Sequence, residues 1–72
     1  MRFEVSERLA NRLKEKRSEL GWTQAQLAEA CGVTRKTVNT VENGVFFPSA
    51  LLAIKLARAL NLPVEELFWL EG

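Results

Sequence analysis

The sequence predicts an all-α fold, a compact bundle of five helices. Apolar residues recur at helical spacing, and no segment shows the alternation with a period of two that is typical of a half-buried strand. Four apolar stretches each follow a Ser or Thr that can cap a helix, and glycine or proline comes after each of them. Because 47% of the 72 residues are apolar and no repeat or linker divides them, residues 1–72 are expected to form one domain around one core.

The first helix is predicted from Ser6, which can act as its N-cap, to Gly21. Its apolar positions Leu9, Leu13 and Leu20 fall at helical spacing. Glycine then ends the helix, because it readily adopts the left-handed conformation that follows a last turn.

The second helix is predicted from a capping box, in which the side chain of Thr23 and that of Gln26 each bind the other's backbone N–H. Trp22 can pack on Leu27 as a hydrophobic staple across the same turn. The helix is short because Gly32 follows so soon.

Three further helices follow, each with its own start and stop signals. Thr34 is expected to cap the third helix, which ends near Gly44. Ser49 is expected to cap the fourth helix, which ends before Pro63. A last short helix is predicted over residues 64–70.

The composition excludes several classes of function. A single cysteine cannot form an internal disulfide, and without histidine or a CxxC pair no structural zinc site is expected. The sequence also lacks a nucleophile–base pair and a phosphate-binding glycine loop, so we expect no enzymatic activity, cofactor or small-molecule ligand. Cys31 is expected to be a small buried residue rather than a redox sensor.

Apolar runs are far too short to span a membrane, and the first residues lack the apolar core of a signal peptide. We therefore expect a cytoplasmic protein. Residues 1–40 carry eight basic and five acidic side chains, against two and four in residues 41–72, which weakly favours an anionic partner for the first part of the chain.

Helices two and three are predicted to form a helix-turn-helix over residues 24–43, because only about three residues separate them. Ala28 is small where the helices approach, and Gly32 occupies a turn position that needs a positive φ. The expected inward side chains are Leu27, Cys31, Val33, Val38 and Val41. In such a unit the second helix, here 35–43, is presented to the major groove of DNA.

Two stretches carry a resemblance to a known family: "LGWTQAQLAEACGVTRKTVNTVENG" and "FPSALLAIKLARALNLPVEELF". Between Leu9 and Phe68 the chain resembles the phage-repressor and Cro family of DNA-binding domains, the Xre type. The resemblance implies a lambda-repressor-like fold and a short stand-alone transcription regulator.

The outer side of the third helix carries hydrogen-bond donors and no carboxylate. Arg and Lys can donate to guanine O6 and N7, Asn can bind adenine bidentately, and Thr offers a hydroxyl or a methyl group. The resemblance points to Arg35, Lys36 and Thr40 as base readers, with Thr34 beside them, and the residue chemistry adds Asn39. A merely solvated helix face is the alternative for this set.

Phosphate contacts are expected at helix N-termini, where backbone N–H groups are free. The resemblance gives this role to Gln24, with Thr23 and Asn43 as secondary candidates. For Thr23, capping alone is an equally good explanation.

One ion pair is expected to be structural. Arg17 lies on the apolar stripe of the first helix and Glu42 on the inward side of the third, so each buried charge needs a partner. The resemblance implies that they pair with each other and orient the recognition helix.

After Gly44 the chain reads "VFFP". It departs there from the family that it resembles, since many members carry basic residues in this segment. Phe46 resembles a core position of the family. Helices four and five, at 50–70, are expected to form a homodimer interface containing Phe47, Phe68, Trp69 and Leu70. Alternatively, Trp69 folds back on the core of its own monomer.

These observations predict a sequence-specific regulator that binds double-stranded DNA, a repressor acting as a homodimer on a palindromic operator. The alternative is a protein-interaction module, antitoxin-like or binding another partner, that uses the aromatic C-terminal surface and for which DNA binding is secondary.

Overall fold

The computed structural model describes residues 8–72, which form five helices and one two-stranded sheet. The helical fold class is therefore confirmed. In these residues no helix is both long and apolar enough to cross a membrane. The elements in chain order are β1 (Arg8–Asn11), α1 (Leu13–Glu19), α2 (Gln24–Cys31), α3 (Arg35–Glu42), α4 (Ala50–Ala59), α5 (Val64–Leu67) and β2 (Phe68–Glu71).

The small sheet was not predicted from the sequence. Strands β1 and β2 are antiparallel, with Leu9 opposite Leu70 and Asn11 opposite Phe68. Two predicted helix boundaries are therefore wrong, since Leu9 lies in a strand before α1 and the fifth helix stops at Leu67 rather than at residue 70. The predicted cap Ser6 lies outside the described residues.

Asn11 joins the sheet to two helices. Its Oδ1 accepts a hydrogen bond of 3.0 Å from the backbone N–H of Leu13 at the start of α1. Its Nδ2 donates over 3.0 Å to the backbone carbonyl of Val41 near the end of α3. Asn11 of β1 thus caps the start of α1 and holds the end of α3 against β1.

The other predicted caps are confirmed. Thr23 and Gln26 form the capping box of α2, and the side chains of Thr34 and Ser49 accept hydrogen bonds from the third residue of α3 and α4. Gly32 ends α2 with φ of +69°. A Cβ there would meet nothing within 4 Å, so glycine is favoured for its backbone conformation and not for lack of space.

The core lies where the helices and one face of the sheet meet. The predicted inward positions are buried except Val33, which is half-buried against the core. Phe46, expected in the core, is 47% exposed, and Phe68 is buried instead. The buried residues are Leu13, Leu27, Ala28, Cys31, Val38, Val41, Leu56, Ala57, Leu60, Leu67 and Phe68.

Cys31 is buried at the end of α2, and this burial raises the pKa of its thiol, although the positive charge of Lys55 opposes the shift. Because the thiolate is the reactive form, we expect the folded protein to resist a thiol reagent such as Ellman's reagent at pH 7 to 8. Denatured protein serves as the control and should react fully. Equal rates for folded and denatured protein would contradict this assignment.

Candidate nucleic-acid interface

Helices α2 and α3 form a helix-turn-helix, connected through Gly32, Val33 and Thr34. Val38 and Val41 of α3 are fully buried, as is Leu27 of α2. These contacts turn one side of α3 inward and leave the opposite side exposed along the helix.

The exposed side of α3 presents two unengaged cations. Arg35 and Lys36 lie in its first turn, and neither makes a salt bridge or side-chain hydrogen bond to another residue in 8–72. Asn39 is exposed one turn further along. Positive charge and unpaired side-chain N–H donors are thus concentrated at the start of α3.

The two threonines of the predicted reading set are partly engaged within α3. The Thr34 hydroxyl accepts from the backbone N–H of Thr37 over 3.2 Å and lies 3.1 Å from the Thr37 hydroxyl. Thr40 donates its hydroxyl to the Thr37 carbonyl over 3.0 Å. Thr40 therefore offers a DNA base its methyl group and oxygen lone pairs, but no hydrogen.

Arg17 and Glu42 form an ion pair between α1 and the end of α3. Arg17 Nε lies 2.6 Å from Glu42 Oε2, and Nη2 lies 3.3 Å from Oε1. The arginine also donates over 2.6 Å to the carbonyl of Trp22. The side chains are only 12% and 2% exposed, so both charges are largely removed from water and each depends on the other.

Gln24, predicted to bind a phosphate, has its amino group engaged within the protein. Its Nε2 donates over 3.0 Å to Glu42 Oε1 and over 3.1 Å to Asn39 Oδ1, which uses both hydrogens. The remaining amide oxygen cannot bind a phosphate oxygen, because both are acceptors. The group at Gln24 that remains available to an anion is its backbone N–H, which is free at the first position of a helix.

The two secondary phosphate candidates are engaged as well. Thr23 closes the capping box through its hydroxyl oxygen and backbone N–H. Asn43 donates over 2.9 Å to the carbonyl of Asn39 and over 3.1 Å to its Oδ1. Thr23 retains a hydroxyl hydrogen for a ligand, whereas the amino hydrogens of Asn43 are already used.

The predicted dimer residues have different environments. Phe47 is 56% and Leu70 68% exposed, so both are available to a partner. Trp69 is half-buried and lies under the guanidinium of Arg12, 4.8 Å from the ring centroid. Phe68 is 6% exposed and belongs to the core of its own monomer, so its side chain cannot supply an exposed contact.

Two features were missed by sequence reasoning. Leu51 and Ile54 lie three residues apart on α4 and are 65% and 47% exposed, which adds apolar surface. Asn11 caps the start of α1 and also positions the end of α3. Its residue type is a sequence signal for the first role only, because Asn is favoured just before a helix.

A family model described as Helix-turn-helix matches residues 13–67. An HTH-type transcriptional regulator of Bacillus subtilis, YgzD, is 44% identical over 63 residues, covering 88% of this chain and 96% of that protein.

Solved structures agree with the sequence matches. The restriction-modification controller protein C.AhdI from Aeromonas hydrophila has a TM-score of 0.73 and 38% identity, over 76% of this chain and 80% of that one. The biofilm regulator SinR, crystallised in complex with DNA, has a TM-score of 0.70 and 29% identity, over 75% and 87% of the two chains. With this fold, these relatives and a family match over more than half its length, the chain belongs to the Cro/C1-type helix-turn-helix family of DNA-binding transcriptional regulators, which are not enzymes.

Proposed function

We propose that this protein is a sequence-specific transcription regulator, a repressor, that inserts α3 into the major groove of its operator. The observation that carries the proposal is the exposed start of α3, where Arg35 and Lys36 have no partner in residues 8–72 and no carboxylate lies beside them on that side. Arg and Lys in a major groove can bind guanine O6 and N7. Against the solvated-face alternative, two cations at the start of a helix lie at the positive end of its dipole, where they are not stabilised by it. With this role we also propose a cytoplasmic location, at the nucleoid.

Phosphate contacts complete the proposed docking. The start of α2 has free backbone N–H groups at Gln24, and the positive end of the helix dipole adds to their attraction for phosphate. These contacts would set the register of the helix on DNA, whereas base contacts from α3 would provide specificity.

The transcriptional regulators among the relatives do not favour the partner-binding alternative.

We further propose that the protein acts as a homodimer on a palindrome. Phe47 lies along the same shallow groove as Leu9 of β1, and Leu70 pairs with Leu9 across the sheet. Phe47 and Leu70 are thus two exposed apolar side chains near Leu9, where a two-fold axis can bring two copies together. Two recognition helices would then lie about 34 Å apart, one turn of DNA.

Replacing Phe47 and Leu70 with aspartate should convert the dimer to a monomer, because charged residues would be buried in the interface. Sedimentation equilibrium should then report the 8.1 kDa monomer for the variant and twice that mass for the wild type. Leu20→Asp is the control, since Leu20 is 52% exposed but lies at the end of α1. A monomeric wild type at concentrations of about 100 micromolar would rule out the dimer.

The proposed function is tested by in-vitro selection from random double-stranded DNA. The wild type should enrich a palindrome whose half-sites are centred about ten base pairs apart. Failure to enrich any motif above background, with the protein folded, would contradict sequence-specific binding.

A further inference from the structure

Asn39 is the end point of a hydrogen-bond network that begins at the buried ion pair. Glu42, held by Arg17, accepts from Gln24 Nε2 over 3.0 Å. The same Nε2 reaches Asn39 Oδ1 over 3.1 Å, and Asn43 Nδ2 reaches that oxygen over 3.1 Å. The exposed reading side of α3 is thus connected to the interior of the protein.

The chemistry of the partners fixes which way the Asn39 amide points. A carboxylate and a backbone carbonyl can only accept hydrogen bonds. The Gln24 atom that faces the Glu42 carboxylate must therefore be its amino nitrogen, and so must the Asn43 atom that faces the carbonyl of Asn39. Since both amino groups also point at one side-chain atom of Asn39, that atom must be the oxygen.

Asn39 consequently has only donors to offer. Its Oδ1 already accepts two hydrogen bonds, one for each lone pair, whereas its Nδ2 has no partner in residues 8–72 and the residue is exposed. Bidentate recognition of adenine requires the amide oxygen to accept from N6 while the nitrogen donates to N7. The network occupies the oxygen that this recognition needs.

We propose that Asn39 is a specificity-determining residue that donates to a keto oxygen, guanine O6 or thymine O4, and does not make the bidentate contact to adenine. This inference rests on the proposed function, because it assumes that α3 lies in the major groove. It replaces the bidentate adenine contact expected from the residue type alone. Arg35 and Lys36 are also donors only, so all three side chains select for acceptors on the base edges.

The contacted base pair is identified with Asn39→Ala. Binding of the wild type and the variant is measured on the selected operator and on all its single base-pair substitutions. At one pair per half-site, discrimination by the variant should fall by about tenfold relative to the wild type, as expected for the loss of one good base contact. Thermal unfolding of the variant checks that this exposed substitution leaves the fold intact.

The identity of that pair then tests the donor-only assignment. A G·C pair contacted on guanine supports it. For an A·T pair, two base analogues replace adenine in turn: purine, which lacks the N6 amino group, and 7-deazaadenine, which lacks N7. Unchanged wild-type affinity for both supports a contact to thymine O4. A loss of about tenfold with either analogue that is absent in Asn39→Ala overturns the inference. An Asn39→Ala variant with unchanged preference at every pair also overturns it. If the wild type selects no operator at all, the proposed function fails, and this inference fails with it.

A second variant releases the oxygen without removing Asn39. In Gln24→Ala/Asn43→Ala, Oδ1 loses both donors and becomes free to accept from adenine N6. The wild type's preference for the contacted base over adenine at the same position should therefore shrink by about tenfold. Glu29→Ala is the control, because Glu29 is exposed on the same helix and makes no side-chain hydrogen bond or salt bridge in residues 8–72. A folded double variant that keeps the wild-type preference would overturn the role of the network.

Discussion

Replacing Glu42 with alanine is expected to lower the free energy of unfolding by about 3 kcal/mol, the usual cost of leaving one member of a buried ion pair alone. Arg17 would lose both contacts to the carboxylate in a site where its side chain is only 12% exposed. Gln24 would lose its carboxylate acceptor at the same time. For a domain of this size, such a loss is a large fraction of the total stability. Urea denaturation followed by circular dichroism measures it.

The matched control is Glu19→Ala. Glu19 pairs with Lys16 on the surface of α1, at 3.5 Å and with its own side chain 56% exposed. Exposed pairs of this kind contribute only about 0 to 1 kcal/mol. If Glu42→Ala cost no more than Glu19→Ala, the pair could not be what holds α3 against α1.

Replacing both Arg35 and Lys36 with alanine is expected to weaken operator binding by at least about 30-fold. Two good base contacts contribute about 1 to 3 kcal/mol each, and 2 kcal/mol corresponds to about that factor. Because both side chains are exposed and unpaired in residues 8–72, the melting temperature should remain nearly unchanged. Fluorescence anisotropy with the selected operator, at one fixed salt concentration, measures the effect.

Lys55→Ala/Arg58→Ala provides the control for net charge. It also removes two positive charges, but from the exposed side of α4. It should therefore weaken binding only through the overall charge. Equal losses in the two double variants would show that Arg35 and Lys36 attract DNA without reading it.

Features that depend on neighbouring residues were predictable from the sequence. The caps at Thr23, Thr34 and Ser49 and the turn at Gly32 involve partners within three or four positions, so their residue types are sufficient evidence. The sheet was not predictable in this way. Its strands have four residues each, too few for a clear period of two, and they pair Arg8 with Glu71 from opposite ends of the chain.

The candidate site was predictable in position but not in hydrogen bonding. The inward valines, including Val38, determine which side of α3 is exposed, and their spacing is visible in the sequence. By contrast, an amide side chain has both donors and acceptors, and only the positions of Gln24, Glu42 and Asn43 determine which of them Asn39 retains. Likewise, Phe68 and not Phe46 is buried, because β2 turns back onto the core.

The exposed side of α3 is the surface that we propose contacts DNA. The most direct test is to titrate isotopically labelled protein with the selected operator and to follow backbone amide resonances by NMR. We expect the largest shifts at residues 35–40 and at the start of α2, near Gln24, with small shifts along α4. Shifts concentrated on α4 or on the sheet, with residues 35–40 unaffected, would contradict the account.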